Sequence, residues 1–275
     1  CCCDYCYLRR APQAGEHAED RWVTPDTPWR HLSDLYSRSR SLWGWTGSFK
    51  IRGVANQFAR RPGGGRFVTM SAGNYGKAFS FAAKHYGSEG KVVMPDSAPI
   101  SRSVLIQVSY VFGRSRAQSA RVLTAFFIDR ALEYIGFEIL DAMPSPDVVV
   151  VCCGGGGLLA GRAPSSLQDW HHPPLVSAPP FTSKVDSDAI VSVGLAALPF
   201  QLCQKFVEGI VLVSDEEIKK AVSTLYNSGF LVEASGSAGF AAVVNHKIPD
   251  LAGKSAVVIL SGGNIGKDEL ANFPD

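Results

Sequence analysis

The stretch Phe67-Val68-Thr69-Met70-Ser71-Ala72-Gly73-Asn74 is a short apolar run that stops at a turn of small residues. Ala78, Phe81, Ala82 and Tyr86 follow at helical spacing as far as Gly87, and Lys91-Val92-Val93-Met94-Pro95 is the next extended run. Strand, helix and strand in that order predict a β-α-β unit. Such a unit predicts a parallel sheet, because the helical crossover returns the chain to run in its original direction. The turn from Ser71 to Asn74 then lies beyond the carboxyl end of a strand, where open α/β sheets bind their ligands.

Working outward, Asp147-Val148-Val149-Val150-Val151-Cys152-Cys153 is the strongest strand of the chain, continuously apolar as a parallel strand covered on both faces should be. It runs into Gly154-Gly155-Gly156-Gly157. Gly209-Ile210-Val211-Leu212-Val213 predicts a further strand. Ser214-Asp215-Glu216-Glu217 reads as a capping box opening a helix through Asn227, closed by Gly229. Ser235-Gly236-Ser237-Ala238-Gly239 opens another helix, and Ala256-Val257-Val258-Ile259-Leu260 ends in Ser261-Gly262-Gly263-Asn264. Residues 1–40 show no sustained period, and Thr24-Pro25-Asp26-Thr27-Pro28 bars a helix, so they are expected to be irregular and poorly ordered. Residues 162–199, with Pro173-Pro174 and Pro179-Pro180, read as a long loop or insertion. Residues 103–133 have no definite pattern.

A chain of 275 residues can form one large domain or two modest lobes, since single cores stop growing at about 250 to 300 residues. A net charge of +2 with mixed signs forms no basic stripe, so small molecules rather than nucleic acid are the expected partners. No apolar run reaches about 18 residues and the start lacks the apolar middle of a secretory signal, so a cytoplasmic enzyme without a membrane span is expected. Cys1, Cys2, Cys3 and Cys6 have no second cluster with zinc spacing, and His171-His172 has no spaced carboxylate or cysteine partner, so no metal site is predicted. Cys152, Cys153 and Cys203 read as small core residues.

Adjacent glycines after a buried strand let the backbone turn sharply and converge its N–H groups on an anion at a helix start, with a phosphate as the obvious occupant. Gly155, Gly157 and Ala160 also fit a loose dinucleotide pattern, but no acidic residue stands about 20 positions on to hold a ribose. A Walker loop is excluded by the absence of Gly-Lys-Ser/Thr. Upstream, Gly47-Ser48-Phe49-Lys50-Ile51-Arg52-Gly53 sets a lysine among small and aromatic neighbours.

These motifs together resemble the serine/threonine dehydratases, a fold type II pyridoxal-phosphate family that includes serine racemase. The resemblance is carried by Ser48-Phe49-Lys50-Ile51-Arg52-Gly53, Ser71-Ala72-Gly73-Asn74-Tyr75-Gly76, Val93-Met94-Pro95, the tetraglycine run and Ser261-Gly262-Gly263-Asn264, in order and at similar spacing. It implies two open, twisted parallel-sheet lobes with helices on both faces. Residues 1–52 and 146–275 would form the large cofactor-binding domain and residues 53–145 the small one. The cofactor implied is pyridoxal 5'-phosphate, and the assembly implied is a homodimer.

By the same resemblance Lys50 forms the Schiff base, as only a primary amine can, and Phe49 packs near the cofactor ring. Gly154, Gly155, Gly156 and Gly157 would cradle the phosphate, Asn74 would meet the 3'-oxygen, and Ser261 would face the pyridine nitrogen. The backbone of Ser71, Ala72, Gly73, Asn74 and Tyr75 would receive the substrate carboxylate. A hydroxyl rather than a carboxylate at Ser261 makes a moderate electron sink, which favours loss of a β-hydroxyl. Serine racemase carries a serine at the place of Ala72, used as the second acid/base. Its absence points to one-base chemistry from Lys50, and so to a threonine/serine ammonia-lyase releasing a 2-oxo acid and ammonia.

Other segments depart from the family. Ser41-Leu42-Trp43-Gly44-Trp45-Thr46-Gly47 keeps only its last two residues of the expected lead-in, and Val108-Ser109-Tyr110-Val111-Phe112-Gly113 replaces an expected strand. An incomplete or irregularly spliced member would show this pattern. The alternatives to the lyase are therefore a racemase on the same scaffold and a catalytically dead relative with a binding role.

Overall fold

The computed structural model describes residues 46–59, 65–71, 73–94, 145–153 and 207–266, with shorter pieces at 6–10, 104, 106, 121–122, 135–136, 139, 143, 157–158, 175–177, 180–181, 270 and 273. The strands are Cys6–Arg10 (β1), Arg66–Met70 (β2), Glu89–Val93 (β3), Arg121–Val122 (β4), Val148–Val151 (β5), Leu175–Ser177 (β6), Pro180–Phe181 (β7), Val207–Ile210 (β8), Val213–Ser214 (β9) and Ser255–Ile259 (β10). The helices are Lys50–Ala59 (α1), Asn74–His85 (α2), Asp215–Asn227 (α3) and Ala234–Val244 (α4).

The valine run of β5 is the centre of a five-stranded sheet ordered β1-β10-β5-β6-β8. Successive side chains of a strand face opposite ways, and here both directions are apolar. Val148 and Val150 join a core with Val222 of α3 and Ala238 and Ala241 of α4, while Val149 and Val151 join another with Phe49, Ile135, Ile139 and Leu158. Each buried valine stabilises the fold by about 1.5 to 3 kcal/mol relative to exposure. The pairs β10–β5, β5–β6 and β6–β8 are parallel, as predicted, and β1 closes one edge antiparallel.

The opening β-α-β unit forms as predicted. β2 pairs in parallel with β3 and β4, giving a second sheet of three strands ordered β3-β2-β4. The buried face of α2 is Tyr75, Ala78, Phe79, Ala82 and Ala83, whereas Phe81 is half-buried and Tyr86 is exposed. The predicted face used Phe81 and Tyr86. Phe58 of α1 decides the rotation, because it packs edge-on to Phe79 at 5.5 Å and to Phe67 at 5.1 Å. α1 itself links the second of these cores to a third: Phe49, immediately before it, packs with Val149 and Ile259, and Val54 and Phe58 pack with Phe67 and Phe79.

Further expectations are corrected. Within residues 1–40, Cys6–Arg10 is a strand paired with β10, and within residues 162–199, Leu175–Ser177 and Pro180–Phe181 are strands. Neither has a local period, because the hydrogen bonds that hold them come from partners distant in sequence. Pro180 is tolerated because β7 belongs to a two-stranded sheet, β7-β9, where every strand is an edge. The run expected as a single strand at 209–213 divides between β8 in the large sheet and β9 in the small one. The capping box is present: Ser214 Oγ accepts from Glu217 N and the Glu217 carboxylate accepts from Ser214 N. Gly229, at φ +85°, closes the helix. Among the described residues no helix is long and apolar enough to cross a membrane. Cys1, Cys2, Cys3, Cys203, His171 and His172 lie outside the described residues.

Candidate active site

Lys50 is the first residue of α1, and three backbone contacts fix its approach. Ser48 forms an antiparallel bridge with Gly262, Phe49 N donates to Ser261 O at 3.4 Å, and Gly263 N donates to Gly47 O at 2.9 Å. The turn after β10 therefore holds the residues leading into α1 like a short extra strand. Gly262 O also accepts from Glu233 N at 3.0 Å, so the turn before α4 is tied to the same place. Several positions here require glycine, Gly47 and Gly262 among them. Gly47 has φ +62° and a Cβ on it would overlap the Asn264 amide, while a Cβ on Gly262 would stand 2.6 Å from Glu233 Oε1.

The Lys50 amine sits 4.2 Å from the centroid of the Phe49 ring. Desolvation lowers it from 10.5 to about 8, against the opposing pull of the Glu233 carboxylate. At neutral pH that is about 300 times more neutral amine than an ordinary lysine has, and neutral amine is the nucleophile a carbonyl carbon needs. Lys77, half-buried on the first turn of α2, is also lowered by desolvation with Glu233 opposing.

The loop after β2 is built around Ser71. Its Oγ accepts from Gly73 N at 3.3 Å and Gly76 N at 3.0 Å, and its own N–H donates to Val93 O at 3.0 Å. The Ser71 and Gly73 amides, expected to serve a substrate carboxylate, thus already hold the loop's own shape. Tyr75 turns its ring into the core of Phe58, Phe67 and Phe79, and its phenol donates to Gln57 Oε1 at 3.1 Å. Asn74 opens α2 and faces the turns of the other core: Asn74 Nδ2 donates to Glu233 Oε1, and Asn74 Oδ1 accepts from Asn264 Nδ2 at 2.7 Å. Phe49 and Ser261 are buried, and the Ser261 hydroxyl reaches the buried Cys152 thiol. Gly157 lies at the start of a helical turn whose Leu158 is packed against Val149 and Val151. Ala72, Gly154, Gly155 and Gly156 lie outside the described residues.

The structure thus brings Phe49, Lys50, Asn74 and Ser261 to one place from three separate parts of the chain. Pyridoxal-phosphate dependent enzymes, as a family, match residues 27–109 and 117–262. The chain belongs to that family. It is 30% identical to an L-threonine ammonia-lyase of Thermotoga maritima over 276 residues, spanning 84% of this chain and 67% of the relative. Over an alignment of the same length it is 29% identical to human serine racemase, covering 82% of this chain and 79% of the relative. In three dimensions it is similar to maize serine racemase, with a TM-score of 0.70 at 23% identity over 82% of each chain. That likeness supports the fold type II architecture, and the match to this family supports pyridoxal phosphate as cofactor.

The described residues fit a pyridoxal-phosphate enzyme's cofactor. It needs an amine of lowered basicity, which Lys50 supplies, and polar groups for a heteroaromatic ring. The buried Ser48 hydroxyl, two positions before Lys50, has no hydrogen-bond partner among the described residues and suits such a group. Three side chains in the cluster had no assigned role in the sequence reading. Asn264 stands at the end of a quoted motif, and Lys77 and Glu233 stand in none. Glu233 is buried, with its carboxylate on Asn74 and Ser235 and its charge acting on both lysines. No local signal marks it, since the contact with Asn74 spans 159 positions.

Proposed function

We propose that this pyridoxal-phosphate enzyme is an ammonia-lyase that dehydrates L-threonine or L-serine to a 2-oxo acid and ammonia. The observation that supports it most is the half-buried Lys50 amine, lowered to about 8 and facing the Glu233 carboxylate that Asn74 contacts. When bound, the cofactor supplies an electron sink that makes the α-proton of an amino acid removable. Lys50 would hold the cofactor and then move that α-proton, a task suited to an amine whose basicity is near the working pH. Phe49 would bear on the ring, Asn74 would donate to the 3'-oxygen, and Ser261 would meet the pyridine nitrogen with a neutral hydroxyl. Gly154, Gly155, Gly156 and Gly157 would receive the phosphate. The substrate carboxylate would lie against the start of α2, at Ser71, Ala72, Gly73, Asn74 and Tyr75. In the same reading residues 1–52 and 146–275 form one lobe, residues 53–145 the other, and the working assembly is a cytoplasmic homodimer.

The choice of lyase over racemase rests on Ala72, which offers no hydroxyl to return a proton on the face opposite Lys50. Ser71 is a poor substitute because its Oγ accepts from two loop amides. The test begins with the visible absorption of purified protein mixed with pyridoxal phosphate, compared with Lys50→Ala. A band that is absent, or the same in the variant, removes the assignment of Lys50. With a Lys50-dependent band, 2-oxo acid release from L-threonine and L-serine is expected to exceed racemisation, and racemisation in excess would overturn the role given to Ala72.

A further inference from the structure

Four side chains form a line through the site in which every link runs the same way. Lys77 Nζ donates to Asn264 Oδ1 at 2.8 Å, Asn264 Nδ2 donates to Asn74 Oδ1 at 2.7 Å, and Asn74 Nδ2 donates to Glu233 Oε1. An ammonium can only donate and a carboxylate can only accept, so the two ends set the sense of the whole line. A third constraint acts in the middle. The Thr46 carbonyl accepts from Asn264 Nδ2 at 2.7 Å, and turning that amide over would set oxygen against oxygen.

An isolated asparagine amide can sit either way round, because its two ends have the same shape. Between Glu233 and Asn264, a reversed Asn74 would face oxygen with oxygen and N–H with N–H, two buried mismatches that together disfavour it by about a hundredfold. We propose that Lys77 and Glu233 are positioning residues that hold the Asn74 amide in one orientation, with one N–H on Glu233 and the second kept as the donor to the cofactor. This rests on the assignment of the cofactor to Lys50. The ionic ends have a second effect: with Lys77 balancing Glu233, Lys50 can lose its proton without isolating the buried carboxylate. The glycines at 47 and 262 are part of the same device, since a Cβ on either would strike Asn264 or Glu233.

The test uses the full chain without cofactor, grown with nitrogen-labelled asparagine, so that nuclear magnetic resonance reads the side-chain amides. Asn74→Asp identifies the Asn74 signals. In Lys77→Met these signals are expected to shift, and in Glu233→Gln, whose amide can present either end, to broaden as Asn74 samples both orientations. Lys77→Gln keeps an N–H donor for Asn264 Oδ1 and is expected to restore them. Titration with pyridoxal phosphate should show Lys77→Met binding about tenfold more weakly than the parent, with Lys77→Gln recovering most of that loss. Unmoved Asn74 signals in both Lys77→Met and Glu233→Gln overturn the proposal, as does an equal loss of affinity in Lys77→Met and Lys77→Gln. If the parent shows no Lys50-dependent band, the functional reading fails instead, and the amide signals still decide whether Lys77 and Glu233 orient Asn74.

Discussion

Replacing Lys50 with methionine should make the cofactor-free chain more stable at neutral pH, and the gain should disappear in alkali. Desolvation takes the amine from 10.5 to about 8 even with Glu233 opposing it. At 1.36 kcal/mol per pH unit this is about 3 kcal/mol of instability. Between pH 8 and 10.5 the unfolded chain binds a proton at Lys50 that the folded chain does not, so stability rises with pH across that window. Below the window the penalty is full and constant, and above it the penalty is gone. Methionine matches the length of lysine and carries no charge, so the variant lacks this dependence. Loss of the ammonium over the Phe49 ring offsets about 0.5 to 2 kcal/mol of the gain. The net expectation is a variant more stable by about 1 to 2.5 kcal/mol at about pH 7, the difference falling close to zero by about pH 10.5 as the ammonium is lost. Urea unfolding of both proteins across this range measures it. A difference that does not change with pH refutes the reasoning, because only the titration of Lys50 separates the two chains.

Gly262→Ala sets a Cβ 2.6 Å from Glu233 Oε1 and 3.1 Å from Asn74 Nδ2, so it should destabilise the chain by about 1 to 3 kcal/mol and weaken pyridoxal-phosphate binding, as denaturation and absorption titrations would show. Ser214→Ala removes the acceptor of the Glu217 amide at the start of α3, and urea denaturation should register a loss of about 1 kcal/mol with cofactor affinity unchanged. Cys152, whose thiol burial pushes up to about 11, should resist alkylation at neutral pH in the folded chain and react once the chain is unfolded. Mass spectrometry of the labelled peptide distinguishes the two states.

Much of the fold was legible because it is written in local patterns. The valines of β5, the capping box at Ser214 and the strand-turn-helix at Phe67 to Asn74 each act over a few residues, and each formed where expected. β1 and β6 were not legible, since their backbone hydrogen bonds come from Ser255–Ile259 and Val148–Val151, far away in sequence. The rotation of α2 was likewise undecided locally: Phe79 and Phe81 are equally apolar, and packing against Phe58 of the neighbouring helix and Gly90 of β3 selects the first.

The candidate site divides in the same way. By itself the sequence determined which groups are present: the amine of Lys50, the amide of Asn74, the hydroxyl of Ser261 and the glycine turns, all carried in short motifs at the ends of strands. Tertiary structure alone decided what state those groups are in. The amine becomes a weak base only because the folded chain takes it partly out of water, and the Asn74 amide acquires a direction only from Asn264, 190 positions away, and from Glu233, 159 positions away. Burial and hydrogen-bond direction are properties of neighbours, and the neighbours meet only when the chain has folded.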